Sequence, residues 1–266
     1  MKKYMHLLKY ELKTIYKDQM NIMMLLYPLM MLAIMGFLLP KILEKTGAAN
    51  TEGAAIGLLI GFIVLLSAGG YIMGAMLGFL ILEHKDEHTI ANIAVTPIRM
   101  SGYLMFKIIY TTILAFIGNF IMVGGLKLLA SPAYEIHYGG IVVGLLDNLS
   151  YVEIILFSLV NSLLVPVIAS VIGGIAKNKI EGFAYIKLGG FFIMIPTLLL
   201  LSFFQDLKQF ILSMFPHFWG VKAILVESLG RNPAYDLTFY GYLLIGFVYQ
   251  LLTMIISVRY LIKKLS

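Results

Sequence analysis

The sequence contains no cysteine. Disulfides, thiolate nucleophiles and cysteine-based metal sites are therefore excluded. Charge is also scarce, with Asp, Glu, Lys and Arg together supplying 13% of the 266 residues, about half the share of an ordinary soluble domain. No Gly–Lys dipeptide occurs anywhere. The phosphate loop G-x-x-x-x-G-K-[ST] is thus missing, and the chain cannot bind ATP by that route. Nor are there the short alternating strands of about ten residues that build a transmembrane β-barrel.

What is present is apolar. Hydrophobic residues make up 60% of the chain, and the mean hydropathy is +0.92. A bilayer core about 30 Å thick takes roughly 20 apolar residues per helix. Six runs satisfy this, at 20–39, 56–82, 103–126, 151–176, 183–204 and 237–258. The expected fold is an all-α polytopic membrane protein, a single transmembrane domain over 1–266. The N-terminus does not read as a cleavable signal, because its charged region extends to Lys17 and no small-residue cleavage site follows the first run. Six spans put both termini on one side. Of the 20 Lys and Arg, 14 fall on that side and 6 on the other, which makes the termini cytoplasmic in a multi-pass cell-membrane protein. The net charge of +6 then reflects topology and anionic lipid, not nucleic acid.

Before the first span, residues 1–19 carry Met5, Leu8, Leu12 and Ile15 on one face and Lys9, Lys13 and Lys17 on another. That pattern predicts an amphipathic helix lying in the inner interface, as a topology anchor or as a mechanical lever. In the second span, Gly57 and Gly61, then Gly70, Gly74 and Gly78, have the small-xxx-small spacing of a close helix seam. Spacing does not say whether the seam lies within one chain or between two. Pro28, Pro166 and Pro196 fall inside spans and predict kinks. Asn119, Asn161, Ser162 and Gln250 are intramembrane polar residues that either line a substrate path or bond helix to helix. Glu153 sits near the outer end of the fourth span, within reach of water. The outer loops at 40–55, 127–150 and 205–236 are too short to hold a solute-catching domain. Within the last, "MFPHFWGVKAILVESLG" predicts a short helix re-entering the outer leaflet, with Phe218, Trp219 and Tyr235 as interfacial aromatics.

One stretch departs from the lipid-like pattern. In "EHKDEHTIANIAVTP", residues 83–97, four of the first five residues are charged. His84 to His88 fits the H-x-x-E-H pattern of inverted zinc peptidases, but a third ligand would have to be Glu153, at the opposite face, or Glu181, and no catalytic or metal site is assigned. Local structure gives a second reading. Asp86 can cap a helix starting near Glu87, Ile90, Ile93 and Ala94 form an apolar face, and Thr96–Pro97 ends it. A helix of two or three turns is marginal alone and needs a surface to dock on.

The segment "EHKDEHTIANIAVTPIRMSGYLMFK" resembles the signature of ABC-2 type transporter permeases, the membrane-spanning subunits of bacterial ABC exporters. The matching residues are Glu83, Lys85, Asp86, Glu87, Thr89, Thr96, Pro97 and Lys107. His88 stands where that signature has glycine, which puts the geometry of the turn in doubt. The amphipathic N-terminal helix, the six spans and the re-entrant segment also fit the family, so the resemblance covers most of the chain. It implies that 83–100 is a cytoplasmic coupling loop with a short coupling helix at 88–95. It also implies two copies of a separate ABC ATPase subunit that binds ATP and Mg, and a second permease, the same or similar. The chain itself is then no enzyme. The expected function is ATP-driven export of a hydrophobic or amphiphilic substrate such as a drug, peptide or lipid. The alternative from another class is an energy-independent channel or membrane scaffold, although nothing resembles a selectivity filter.

Overall fold

The computed structural model describes residues 19–45, 51–87, 100–138 and 141–265. The N-terminal interfacial helix and the coupling helix at 88–95 lie outside the described residues, apart from Gln19, which opens the first helix. In chain order the elements are α1 (Gln19–Ala33), α2 (Leu39–Lys45), α3 (Glu52–Asp86), α4 (Met100–Ala130), β1 (Glu135–Tyr138), β2 (Ile141–Gly144), α5 (Tyr151–Ser162), α6 (Leu164–Ile175), α7 (Lys179–Met194), α8 (Pro216–Leu229) and α9 (Phe239–Leu265). They supply six helices long and apolar enough to cross a membrane: Asn21–Lys45, Glu52–Asp86, Ser101–Tyr134, Tyr151–Ile175, Lys179–Leu200 and Phe239–Leu265. The six-span all-helical expectation holds.

The second and fourth spans are the most enclosed, and the fifth is the least. Glycine explains why. A Cβ on Gly70 would lie 2.5 Å from the Asn161 carbonyl oxygen, one on Gly74 would lie 2.7 Å from Ile168 Cβ, and one on Gly78 would lie 2.8 Å from Ile172 Cβ. The seam therefore lies within one chain, with the α3 backbone laid against α5 and α6. Packing, not a hydrophobic drive between helices, holds apolar helices together in lipid, so this seam is the spine of the bundle.

The three prolines act differently. Pro166 has no N–H to donate to the Ser162 carbonyl, and the fourth span breaks there into α5 and α6. Pro196 opens the 3-10 turns Ile195–Leu200, where α7 stops. Pro28 stays within α1, its ring seated where Gly118 of α4 leaves room. The first span deforms further on, in a π-helical turn at Ile34–Leu38. The Tyr134 hydroxyl, fully buried, donates to the Met35 carbonyl there at 2.8 Å. A widened turn leaves a carbonyl in need of a donor, and Tyr134 supplies it.

Two features were not anticipated. The loop at 127–150 contains an antiparallel hairpin pairing Glu135 with Gly144 and Tyr138 with Ile141. Strands of four residues give little local signal and are marginal alone; here Lys127 donates to the Leu146 and Asp147 carbonyls just beyond the hairpin. Glu153, expected within reach of water, is buried. Its carboxylate accepts the Ser150 N–H at 2.7 Å while its own N–H donates to Ser150 Oγ at 3.2 Å. This is a capping box at the head of α5.

The segment 205–236 folds as a 3-10 helix at Leu207–Met214 followed by α8. Phe218 and Trp219 of α8 are buried, and Phe218, Trp219 and Phe210 all meet the Tyr242 ring of α9. Trp219 therefore packs against a helix.

Candidate functional site

The charged knot sits on the last turn of α3. At 35 residues, this helix is roughly 50 Å long, longer than the bilayer core is thick. Its charged end meets the turn that joins α6 to α7. The Lys85 ammonium donates to the Ala176 carbonyl at 3.0 Å and to the Gly173 carbonyl at 3.3 Å. A cation on the free carbonyls at a helix C-terminus is stabilising by about 0.3–1 kcal/mol. One residue further, Asp86 Oδ2 accepts the Lys179 N–H at 3.0 Å. That N–H belongs to the first turn of α7, whose free donors favour an anion. The Lys179 ammonium returns to Glu83 at 2.9 Å and to Glu87 at 3.7 Å.

Four charges of one helix end are thus matched to a C-terminus, an N-terminus and a lysine on the adjoining turn. The turn is itself fixed: Asn178 Oδ1 accepts the Glu181 N–H at 2.9 Å, and Glu181 accepts the Lys177 N–H at 2.8 Å. Lys179 and Glu83 are both about a third exposed, so the pair adds little stability. Its consequence is geometric. It joins the end of α3 to the α6–α7 turn.

Asp86 has a contact that the sequence expectation did not include. α3 runs unbroken to Asp86, the Glu87 N–H still donates to the Glu83 carbonyl at 2.9 Å, and the helix that Asp86 was expected to cap lies outside the described residues. Among the described residues, its carboxylate accepts the N–H of Lys179 in the first turn of α7. Lys179 is the member of the knot that sequence reasoning missed. The N-x-x-E spacing of Asn178 and Glu181 was the available signal of a helix start there, although nothing in it points to Asp86.

The far root of the 88–99 segment is also anchored. His84 Nδ1 and the Tyr103 hydroxyl of α4 are 3.1 Å apart. Lys107 is buried, with its ammonium 5.8 Å from the Tyr103 ring centroid. His88, Thr89, Thr96 and Pro97 lie outside the described residues. Among the described residues, no group of three His, Asp or Glu side chains could hold a metal ion.

The intramembrane polar residues lie inside the bundle. Asn161 donates to the Leu66 carbonyl at 3.0 Å and to Asn119 Oδ1 at 3.4 Å, joining three spans. Ser162 donates to the Leu159 carbonyl at 2.7 Å within its own helix. Gln250 donates to the Pro216 carbonyl at 3.2 Å, fixing the head of α8 against α9. In this conformation each side chain bonds to backbone or to a neighbouring amide.

None of these four residues lines the cavity of about 990 Å³ at the other end of α3, between α3, α8 and the turns after α7. Its walls are largely aliphatic, and Lys222 and Asp236 meet there at 2.8 Å. Burial alone would raise the Asp236 carboxyl, but hydrogen bonds from Lys222, the Asn232 N–H and Gln209, with the Lys222 charge, hold it below the usual carboxylate range. Asp236 is thus charged at neutral pH.

Against protein-family models, residues 11–258 match the family described as Rv2686c-like, "Fluoroquinolones export permease protein Rv2686c-like". No curated protein and no solved structure matches the chain.

Proposed function

The chain belongs to the Rv2686c-like family of fluoroquinolone export permeases, which are ABC-2-type permeases, and from this we propose that it is the membrane-spanning subunit of an ATP-driven exporter. The family match over most of the chain supports export by a membrane permease. Without a phosphate loop, the energy must come from a separate ATPase subunit, present in two copies that bind ATP and Mg. Two copies of the permease, or one with a similar permease, complete the path. Both termini and the charged knot face the cytoplasm, in keeping with the Lys and Arg bias. The cargo is a hydrophobic or amphiphilic molecule, and the family description makes a fluoroquinolone the first to test.

The observation that carries the coupling role is the attachment of the α3 end to the α6–α7 turn. ATP draws the two ATPase subunits together and displaces the 88–99 segment. His84 and Tyr103 hold its two roots against each other, so the displacement reaches α3. Glu83 and Asp86 then pass it to the start of α7, and Lys85 to the end of α6, through contacts of 2.9–3.3 Å. The fifth span, with few neighbours of its own, is the element freest to respond.

Purification of the tagged chain under mild detergent tests the assembly. An ATPase carrying a phosphate loop is expected in stoichiometric amount, and Glu87→Ala is expected to lower either its retention or export per ATP hydrolysed. Repeated purification with no such ATPase, under conditions that preserve other membrane complexes, would refute the exporter reading.

A further inference from the structure

The cavity of about 990 Å³ matches the upper end of the range that takes drug-sized ligands, about 300–1,000 Å³. It lies roughly 40 Å along α3 from the charged knot, on the exit side when the termini are cytoplasmic. Leu59 and Ile60 of α3, Leu200 after α7, and Leu225 and Val226 of α8 form apolar walls. Among the described residues lining it, the charged ones are Lys222 and Asp236, with side chains 15% and 9% exposed.

The two charges are held unequally. Asp236 Oδ1 takes Lys222 at 2.8 Å, Gln209 at 3.1 Å and the Tyr242 hydroxyl at 3.3 Å, and Oδ2 takes the Asn232 N–H at 3.0 Å. Oδ1 thus meets three donors and Oδ2 one, which leaves one lone pair of Oδ2 open. A lysine ammonium has three donors, and Lys222 directs one of them to Asp236. The group with donors to spare is therefore Lys222, facing an apolar cavity.

The geometry points to a binding site for an amphiphilic zwitterion, whose carboxylate accepts from Lys222 while its apolar body lies on the leucine walls. The inference rests on the exporter reading and places its cargo. The pair is neutral as a whole, so a ligand of net charge would leave an uncompensated charge beside largely aliphatic walls. A zwitterion does not. Its ammonium is turned toward Asp236, and the flat aromatic body of a fluoroquinolone meets the same requirements.

The test is equilibrium dialysis of norfloxacin, and of its ethyl ester lacking the carboxylate, against the complete permease–ATPase complex in nanodiscs. Norfloxacin export into inverted vesicles is measured in parallel. Wild type is expected to bind norfloxacin about tenfold more tightly than the ester, the worth of a charge-assisted hydrogen bond. Lys222→Met removes that preference without weakening the ester. Ile56→Trp, a half-exposed lining position that tolerates substitution without disturbing the core, weakens both by filling the mouth. Wild-type preference in Lys222→Met with wild-type affinity in Ile56→Trp overturns the site, and the exporter reading stands if export persists. Absence of ATP-driven export in wild type overturns both.

Discussion

Lys179→Glu is expected to lower ATP-driven export by about tenfold, the upper part of the range for substitutions that alter coupling between sites, while the partner ATPase continues to hydrolyse ATP. The substitution places a fourth carboxylate among Glu83, Asp86 and Glu87, where the wild-type ammonium lies 2.9 Å from Glu83 and 3.7 Å from Glu87. Like charges at these distances repel, and the α3 end separates from the α6–α7 turn. Because the side chains are partly exposed, the bundle itself stays folded. Glu83→Lys in the same chain restores an opposite pair and is expected to recover part of the export. The ratio of substrate moved to ATP hydrolysed is the readout, since a loss of folding lowers both. Unchanged export in Lys179→Glu refutes the role of this contact in coupling.

Gly74→Ala is expected to destabilise the folded chain by about 1–3 kcal/mol, the usual cost of overpacking. The new methyl would sit 2.7 Å from Ile168 Cβ and 3.0 Å from the Val165 carbonyl oxygen. The second neighbour is backbone and cannot rotate away, so α6 must move off α3. Gly57→Ala is the control. A Cβ there meets nothing within 4 Å, and the helix gains propensity of up to about 1 kcal/mol. Thermal unfolding of the purified chain in nanodiscs, with both variants side by side, separates the two. Equal melting temperatures for Gly74→Ala and wild type contradict the seam.

The six spans were legible because each is a continuous apolar run, a signal that needs no partner. Their partners were not. The small-xxx-small spacing of Gly70, Gly74 and Gly78 announces a close approach, but the surfaces that fill it, at Asn161, Val165, Ile168 and Ile172, lie about a hundred residues away. The charged knot shows the same division. Glu83, Lys85, Asp86 and Glu87 stood out by their density of charge, and resemblance gave them a coupling role. Their contacts depend on where α6 stops and α7 starts, and the residue that collects three of them, Lys179, belongs to an unremarkable "KNKIEG" turn. Ser150 and Glu153 form a local capping box that could have been read from S-x-x-E spacing. Lys222 and Asp236 had a weaker signal, a lone lysine within the apolar helix α8. The π-helical turn at Ile34–Leu38 and the four-residue hairpin strands had none, because tertiary contacts from Tyr134 and Lys127 sustain them.

The central claim is that the ends of α3 and α7 move as one body while ATP is used. The absence of native cysteine allows a direct measurement: Glu83→Cys and Lys179→Cys introduced together, with export followed before and after bridging by a short thiol-to-thiol cross-linker. Without the bridge the ion pair is gone, and export per ATP should fall. With it, the covalent link replaces the lost contact and export should return toward wild type. Normal export in the unbridged pair would show that the contact transmits nothing. Export abolished by the bridge would show that α3 and α7 must part during transport, and either result contradicts their movement as one body.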